Sequence, residues 1–442
     1  MSNEFLSPAH PIRRINPMLD FTEDTAFVGI AIPQETGKTC VDQAAVVTSE
    51  GQLISWDEDN FYENHILPVI NGPVLIEPRW SNESIAALQN GAKPPATNEI
   101  YQRVRAYLQK YLGLRHSVEY DLVTCWIMGT YLKPLFKCYP ILFFNAPYES
   151  GKSRCLEAVS QLSLNGKWFG EITPAAFRRY AESKLTFCLD ELKDVGLKND
   201  SPLISILLNS YNATEVAISD PTRRGGWLPV LFRVTSPVAM GNIQEIKNEA
   251  LKSRTIQIRT EYNPAYRNIN LPGLYQSEPA QIRDELYRWF LGNWKQVRDG
   301  YQTYPDVPEL SSREMDSYKS LLAIASWISP ETAQALTSYA AAVREEKILV
   351  KKATDDHLNL LLFIQRELEA RGMDGEFPVI PNRDLADAYG HQNNLRVNYK
   401  RFIEMVSALH VVTDIKDYHG SKHFVFNRSE INRQLQLIET KF

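Results

Sequence analysis

The residues best placed to do chemistry lie in NAPYESGKSR, residues 145–154. Ala146, Gly151, Lys152 and Ser153 follow the spacing of a phosphate-binding loop, with Ala where the first glycine usually stands. Pro147, Tyr148, Glu149 and Ser150 fill the loop, and Arg154 follows it. Such a loop aims backbone N–H groups at a β-phosphate, and the helix behind it adds the positive end of its dipole. Lys152 reaches β- and γ-phosphate oxygens, and Ser153 offers a hydroxyl to a metal ion. The implied bound groups are ATP and Mg²⁺. A second triplet, Gly37-Lys38-Thr39, has Ile32 at the first glycine position and no helix after it. It reads as a hairpin turn.

A phosphate loop needs a metal ligand and a base. KLTFCLDEL (184–192) is an apolar strand ending in Asp190 and Glu191. Asp190 can hold Mg²⁺ with Ser153, and Glu191 can polarise an attacking water. SPVAMGN (236–242) is another buried strand with a polar end. Asn242 sits beside the γ-phosphate if that strand neighbours LTFCLD. In ALKSRTIQIRT, Arg254 stands immediately before the last strand, where an arginine can reach a neighbouring subunit and stabilise transition-state charge.

These residues need a scaffold of short buried strands alternating with helices. The strands are YPILFF (139–144), LTFCLD (185–190), SPVAMG (236–241) and TIQIRT (255–260), with WFGEI a further candidate. Helices are predicted over 153–163, 174–183 and 201–211. That alternation implies a mostly parallel sheet with ligands at the strands' carboxyl ends. Upstream, Ile100, Val104, Tyr107, Leu108 and Tyr111 recur at helical spacing, and a second, all-round apolar helix follows over 120–135. Residues 263–352 return to helix.

The linked order of these pieces resembles AAA+ ATPases. It is most similar to the replicative helicases of plasmids, phages and other mobile elements, related to the minichromosome-maintenance and superfamily-three helicases. WIMGTYLKPLFKCYPILFF, ITPAAFRRYAESKLTFCLDEL, LLNSYN, LKSRTIQI and SREMDSYKSLLAIA carry the resemblance, across about 97–345. It implies an ATP-dependent DNA helicase or translocase assembled as a ring of six. Arg254 would be the arginine finger, Asn242 the first sensor and Arg313 a second sensor on the helical lid, with Arg283 and Arg288 as rivals for that last role. The fold class expected is multidomain α/β. A strand-rich domain (1–96), an AAA+ core with preceding helices (97–262), a helical lid (263–352) and a winged helix (353–442) would follow one another.

Between Tyr211 and the strand at 237, EVAISDPTRRGGWLPVLFRV reads as two strands around a turn-rich loop. Arg223 and Arg224 sit at its tip, where cations can track phosphates without reading bases. In the family such a hairpin projects into the central pore and touches DNA. At the C-terminus, DHLNLLLFIQRELEARG, NRDLADAYG and NNLRVNYKRFIEMVSALH read as three helices, ended by Gly372, Gly390 and the turn before a hairpin. VVTDIKDYHGSKHFVFN is that hairpin, with Gly420 in its turn. Helix-turn-helix followed by a wing suits DNA. Arg396, Lys400 and Arg401 are assigned to the third helix and Lys422 to the wing. Protein docking stays open as an alternative use. In the N-terminal segment, AFVGIAI, QAAVVT and VLIEP read as strands, and Asp57-Glu58-Asp59 as solvated acids.

Composition sets the outer limits. The 442 residues are 44% hydrophobic and 23% charged, which excludes a long disordered chain. Lys+Arg 48 against Asp+Glu 53 excludes a uniformly basic nucleic-acid coat, so any nucleic-acid contact is focal. Five scattered cysteines with no C-x-x-C pair give neither a disulfide framework nor a zinc ribbon. No apolar run spans a membrane and none makes a secretory signal, so a cytoplasmic location is expected. The expected partners are single-stranded or forked DNA and further copies of the chain. Whether a primase or polymerase works beside it stays open. The rival class is a DNA-bound initiator, scaffold or defence sensor that assembles without unwinding. A metabolic phosphate-loop kinase finds no acceptor-binding cluster.

Overall fold

The computed structural model describes residues 12–36, 39–71, 77–192, 201–212, 214–220, 228–266, 269–354, 356–393 and 396–441. The chain divides into two compact units, 1–340 and 341–442. The segments read from sequence as N-terminal domain, ATPase core and the start of the helical lid all fall in the first.

At the centre of the first unit is a five-stranded parallel sheet. Its strands are β1 (Ile141–Asn145), β2 (Gly166–Phe169), β3 (Thr186–Asp190), β4 (Val238–Asn242) and β5 (Thr255–Arg259). They lie in the order β5-β1-β4-β3-β2. The candidate WFGEI is thus a strand starting two residues earlier. Both faces are covered, as a parallel sheet requires. Along β1, Leu142 and Phe144 face one core, and Ile141 and Phe143 face the other. Successive strand residues point to opposite faces, so an uninterrupted apolar run serves two cores at once.

Helix α1 (Thr97–Tyr111), α2 (Ser117–Thr130) and α3 (Lys152–Leu162) contribute to the first core. The buried stripe of α1 includes Ile100, Val104, Tyr107, Leu108 and Tyr111, one face of a 3.6-residue period. The Thr97 hydroxyl, on the first turn, accepts hydrogen bonds from the indoles of Trp289 and Trp327. Those tryptophans belong to α6 (Ser277–Thr303) and α7 (Ser312–Ile328). Helices α4 (Pro174–Ala181) and α5 (Pro202–Tyr211) contribute to the second core.

The N-terminal segment adds an antiparallel sheet in which Ala26–Thr36 pairs with Thr39–Thr48. Thr36 opposes Thr39, as a hairpin there requires, while Gly37 and Lys38 lie outside the described residues. Most of VLIEP does too; Glu77 and Pro78 are irregular. Leu19, Val28 and Val47 of this sheet join the first core. Asp57 caps the helix Glu58–Glu63, accepting from the Asn60 backbone, and leaves Glu58 and Asp59 in its exposed first turn. That accounts for the acidic triplet by helix capping.

The second unit contains α8 (Asp356–Ala370), α9 (Asn382–Asn393), α10 (Tyr399–Ala408) and α11 (Arg428–Lys441). A three-stranded antiparallel sheet joins Val379–Pro381, Ser421–Phe426 and Val412–Tyr418. Gly372 ends α8's C-terminal turn at φ +63, and Gly420, at φ +80, turns the hairpin. Two sequence expectations fail here. Helix α9 continues through Gly390 to Asn393: Gly390 is buried within the helix and does not take the left-handed backbone that would end it, at a glycine's cost of about 1 kcal/mol. Helix α10 starts only at Tyr399. Asn398 is its N-cap, accepting from the Arg401 N–H, so Arg396 precedes the helix and is not on it.

Candidate nucleotide site

The strand β1 ends at Asn145, the loop occupies 146–151 and α3 begins at Lys152. Two backbone positions make the tight turn: Glu149 at φ +58 and Gly151 at φ +87. Only glycine adopts the latter region without steric cost. Ala146 has no such requirement, so a methyl group is accommodated where a first glycine was expected. The Ser150 hydroxyl donates to the Pro147 carbonyl (2.7 Å), bracing the turn from inside. Tyr148 is 77% exposed at the loop's outer side.

Lys152 is buried, and its ammonium donates to the carbonyls of Ala146 (2.8 Å) and Pro147 (2.5 Å). Burial pulls its pKa down, and the nearby carboxylates of Asp190 and Glu191 oppose that. Ser153 is exposed on the first turn of α3. Arg154 turns away from the loop to donate to the Tyr266 carbonyl (2.7 Å).

The acidic residues end β3, and β4 lies between β3 and β1. Asp190 Oδ1 is buried with no hydrogen-bond partner among the described residues. It lies close to Gly241, where an added Cβ would also meet Leu156 of α3 at 3.0 Å. A buried, unpaired carboxylate oxygen is costly, and it is the kind of atom a cation satisfies. Glu191, at φ +50, donates its N–H to the Gly241 carbonyl (3.0 Å). Asn242 sits at the end of β4, between the loop strand and the acidic strand, so its strand does neighbour LTFCLD, the condition attached to it from sequence. Its amide donates to the Leu192 carbonyl (2.7 Å), tying β4 to the chain beyond Glu191.

Asn145 and Arg79 were not singled out from sequence. Asn145 donates to the carbonyls of Asn242 (3.0 Å) and Ile243 (3.2 Å) and accepts from Gln257 (3.2 Å). It thereby locks the ends of three strands together. A polar residue closing the apolar run YPILFF was the available signal. Arg79 and Arg283 converge on the far end of α3. Arg79 donates to Ser160 and Gln161, and Arg283 donates to Gln161 and Leu274. Cations suit the negative end of a helix dipole. Arg283 is therefore occupied by carbonyls and is not free to sense a nucleotide.

The other two arginines lie elsewhere. Arg254 accepts the Ile141 N–H on its carbonyl, at the amino end of β1. About 13 Å of strand separates that end from the loop. Its guanidinium donates to the Ala250 carbonyl (2.7 Å) and lies over the Tyr211 ring at 5.7 Å. Its Nε is buried without a partner among the described residues. Burial and then the charge of Arg313 lower its pKa. The structure thus puts Arg313 within electrostatic reach of Arg254, and keeps Arg254 away from the phosphate loop of its own chain.

The inserted hairpin pairs Glu215–Asp220 with Leu228–Arg233. Arg223 and Arg224 lie outside the described residues. In the second unit, Lys400 and Arg401 are exposed on the first turn of α10, Arg396 is exposed ahead of it, and Lys422 is exposed on the hairpin. Among the described residues no cluster of His, Cys, Asp and Glu has the makings of a metal site, and no helix is long and apolar enough to cross a membrane.

No family profile and no curated protein matches the chain. Solved structures do overlap with it. An apo structure of the NrS-1 C-terminal region has TM-score 0.43 and 13% identity, covering 88% of this chain and 94% of that one. A second apo form gives 0.38 and 14%, over 90% and 96%. The SCCmec type IV Cch protein, described as an active helicase, gives 0.37 and 10%, over 91% and 95%.

Proposed function

We propose that this chain is a magnesium- and ATP-dependent DNA helicase or translocase that works as a ring of identical subunits. The observation that carries the nucleotide part is the orphaned Asp190 oxygen. It belongs to a strand one place removed from the phosphate-loop strand, on a loop edge where Lys152, among the described residues, bonds to carbonyls that a phosphate would replace. Ser153 and Asp190 are the residues that would hold Mg²⁺, which neutralises charge on the β- and γ-phosphates when bound. Glu191 would take the proton of the attacking water, and Asn242 would orient that water from between the two strands.

Arg254 and Arg313 stand at the edge of the sheet opposite the loop, so their use in hydrolysis requires a second subunit. We infer that both are offered to a neighbour's γ-phosphate. The 221–227 tip, with Arg223 and Arg224, would follow the DNA backbone. ATP moves it only if nucleotide binding favours one hairpin position over another. The second unit has the element order of a winged helix, and exposed Lys400, Arg401 and Lys422 are its proposed DNA contacts, with Arg396 just ahead of α10. Boundaries near 96, 262 and 352 remain the proposed functional divisions.

The test is ATP turnover with and without single-stranded DNA, beside unwinding of a forked duplex. Lys152→Ala is expected to lower turnover about 10²-fold or more and to stop unwinding. Arg223→Ala with Arg224→Ala is expected to abolish unwinding and spare basal turnover. If unwinding is absent in the parent chain while DNA still stimulates turnover, the chain is instead a DNA-bound initiator, scaffold or sensor.

A further inference from the structure

A second buried lysine lies at the amino-terminal edge of the sheet. Lys133 follows α2 and is 3% exposed, and its Nζ has no hydrogen-bond partner among the described residues. It lines a cavity of ≈ 510 Å³ with Asp20, Lys184, Glu215, Arg233 and Thr235. One wall is therefore the base of the inserted hairpin, and another is the N-terminal sheet.

The charges around it do not cancel it. The Asp20 carboxylate already accepts the backbone N–H groups of Asn16 (2.8 Å) and Phe21 (2.9 Å). Glu215 pairs with Arg233 at 3.2 Å. Glu182, behind Lys184, accepts the Arg233 N–H (2.7 Å). The Tyr139 ring, 6.0 Å away, gives a weak cation–π contact. Burial, helped by Lys184 and opposed only by the Cys138 thiol, pulls the Lys133 ammonium down to about 7. Lys184 is lowered by burial and Arg233, against Glu182 and Asp20.

We propose that this cavity is a second anion site that takes the phosphate group of a nucleotide-sized ligand, with the Lys133 ammonium shielded in its wall as the charge the phosphate neutralises and Lys184 and Arg233 lining it. The volume exceeds what a lone phosphate needs and falls in the range of small-molecule sites. The phosphate can belong to a free nucleotide or to one unit of a strand. A bound phosphate favours the charged amine, so binding takes up a proton above pH about 7, and affinity falls as pH rises further. The site does not depend on the phosphate loop being functional.

The experiment uses the full chain, calorimetric titration and thermal unfolding. The probes are inorganic phosphate, thymidine 5′-monophosphate and an oligothymidylate, against the parent, Lys133→Met, Lys133→Arg and Lys152→Ala. Lys133→Met is expected to weaken one binding component at least about tenfold, to remove its proton uptake and to raise the unliganded melting temperature. Lys133→Arg is expected to keep the component and Lys152→Ala to leave it intact. A response to the mononucleotide assigns a free nucleotide; a response to the oligonucleotide alone assigns a strand. The proposal is overturned if Lys133→Met binds every probe like the parent, if it melts lower without ligand, or if Lys152→Ala removes all binding.

Discussion

The two edges of one parallel sheet each bury a lysine, and the surroundings give the two lysines different characters. At the carboxyl edge, Lys152 has two carbonyl acceptors and two carboxylates within electrostatic reach. At the amino edge, Lys133 has no acceptor among the described residues and a second lysine nearby. Burial is common to both; the supply of counter-charge is not. The same division holds for four of the residues singled out from sequence. Asp190 and Glu191 end their strand on the loop side, whereas Arg254 and Arg313 collect on the opposite side. These two carboxylates and these two arginines are separated within one chain, so the proposed hydrolysis needs a second copy to bring them together.

The sharpest way to break that picture is Arg254→Ala. If the arginine serves a neighbour, turnover falls about 10³-fold while nucleotide binding persists. Mixing Arg254→Ala with Lys152→Ala chains then restores activity at interfaces that pair an intact loop with an intact arginine. Turnover that is unchanged, or mixtures that are no better than their parts, make Arg254 a local support for Tyr211. Next in size, Lys152→Ala is expected to lower turnover about 10²-fold or more, since it removes a preorganised donor to developing charge. Retained turnover removes the carboxyl edge as the nucleotide site.

The loop was legible in the sequence because its chemistry is local: eight consecutive residues hold both the turn and the ligands. The strands were legible because apolar runs buried on both faces stand out. The order β5-β1-β4-β3-β2 was not, since pairing between distant strands leaves no mark in any one segment. Arg313 shows the same limit. Its place in the helical 263–352 segment was read, but its nearness to Arg254 depends on how α7 packs against Tyr211, where Ser317 meets the tyrosine hydroxyl at 3.0 Å. Lys133 did carry a signal, a lone charge inside WIMGTYLKPLF. The start of α10 carried one as well, in Asn398, a preferred capping residue.

Stability offers two smaller tests of the same contrast. Gly166 opens β2 against the end of α3, and a Cβ there collides with the Ser160 carbonyl, which is backbone and cannot swing aside. Gly166→Ala is expected to cost about 1–3 kcal/mol by overpacking, read as a lower denaturation midpoint at unchanged slope. Lys133 gives a pH signature. Its folded pKa, about 7, lies below the ordinary 10.5, so between those values the unfolded chain binds more protons. Stability from this residue therefore rises with pH across that window, by at most about 1.4 kcal/mol per pH unit, and Lys133→Met flattens the rise. The lysine at the loop has carboxylates to offset its burial, so the corresponding limb in Lys152→Ala is expected to change less.

The smallest expected effect belongs to the second unit, where the contrast is between buried and exposed cations. Lys400, Arg401 and Lys422 are solvated, so each gains little on its own from a single phosphate. In the proposed DNA contact their contribution would be release of counterions, which is additive and independent of base sequence. Lys400→Ala with Arg401→Ala is expected to lower the slope of log affinity against log salt by about two, one per phosphate contact, and to weaken binding evenly across DNA sequences. An unchanged slope makes this unit a protein-docking module. A slope change confined to one DNA sequence means that α10 reads bases, because contacts to phosphate alone carry no sequence information.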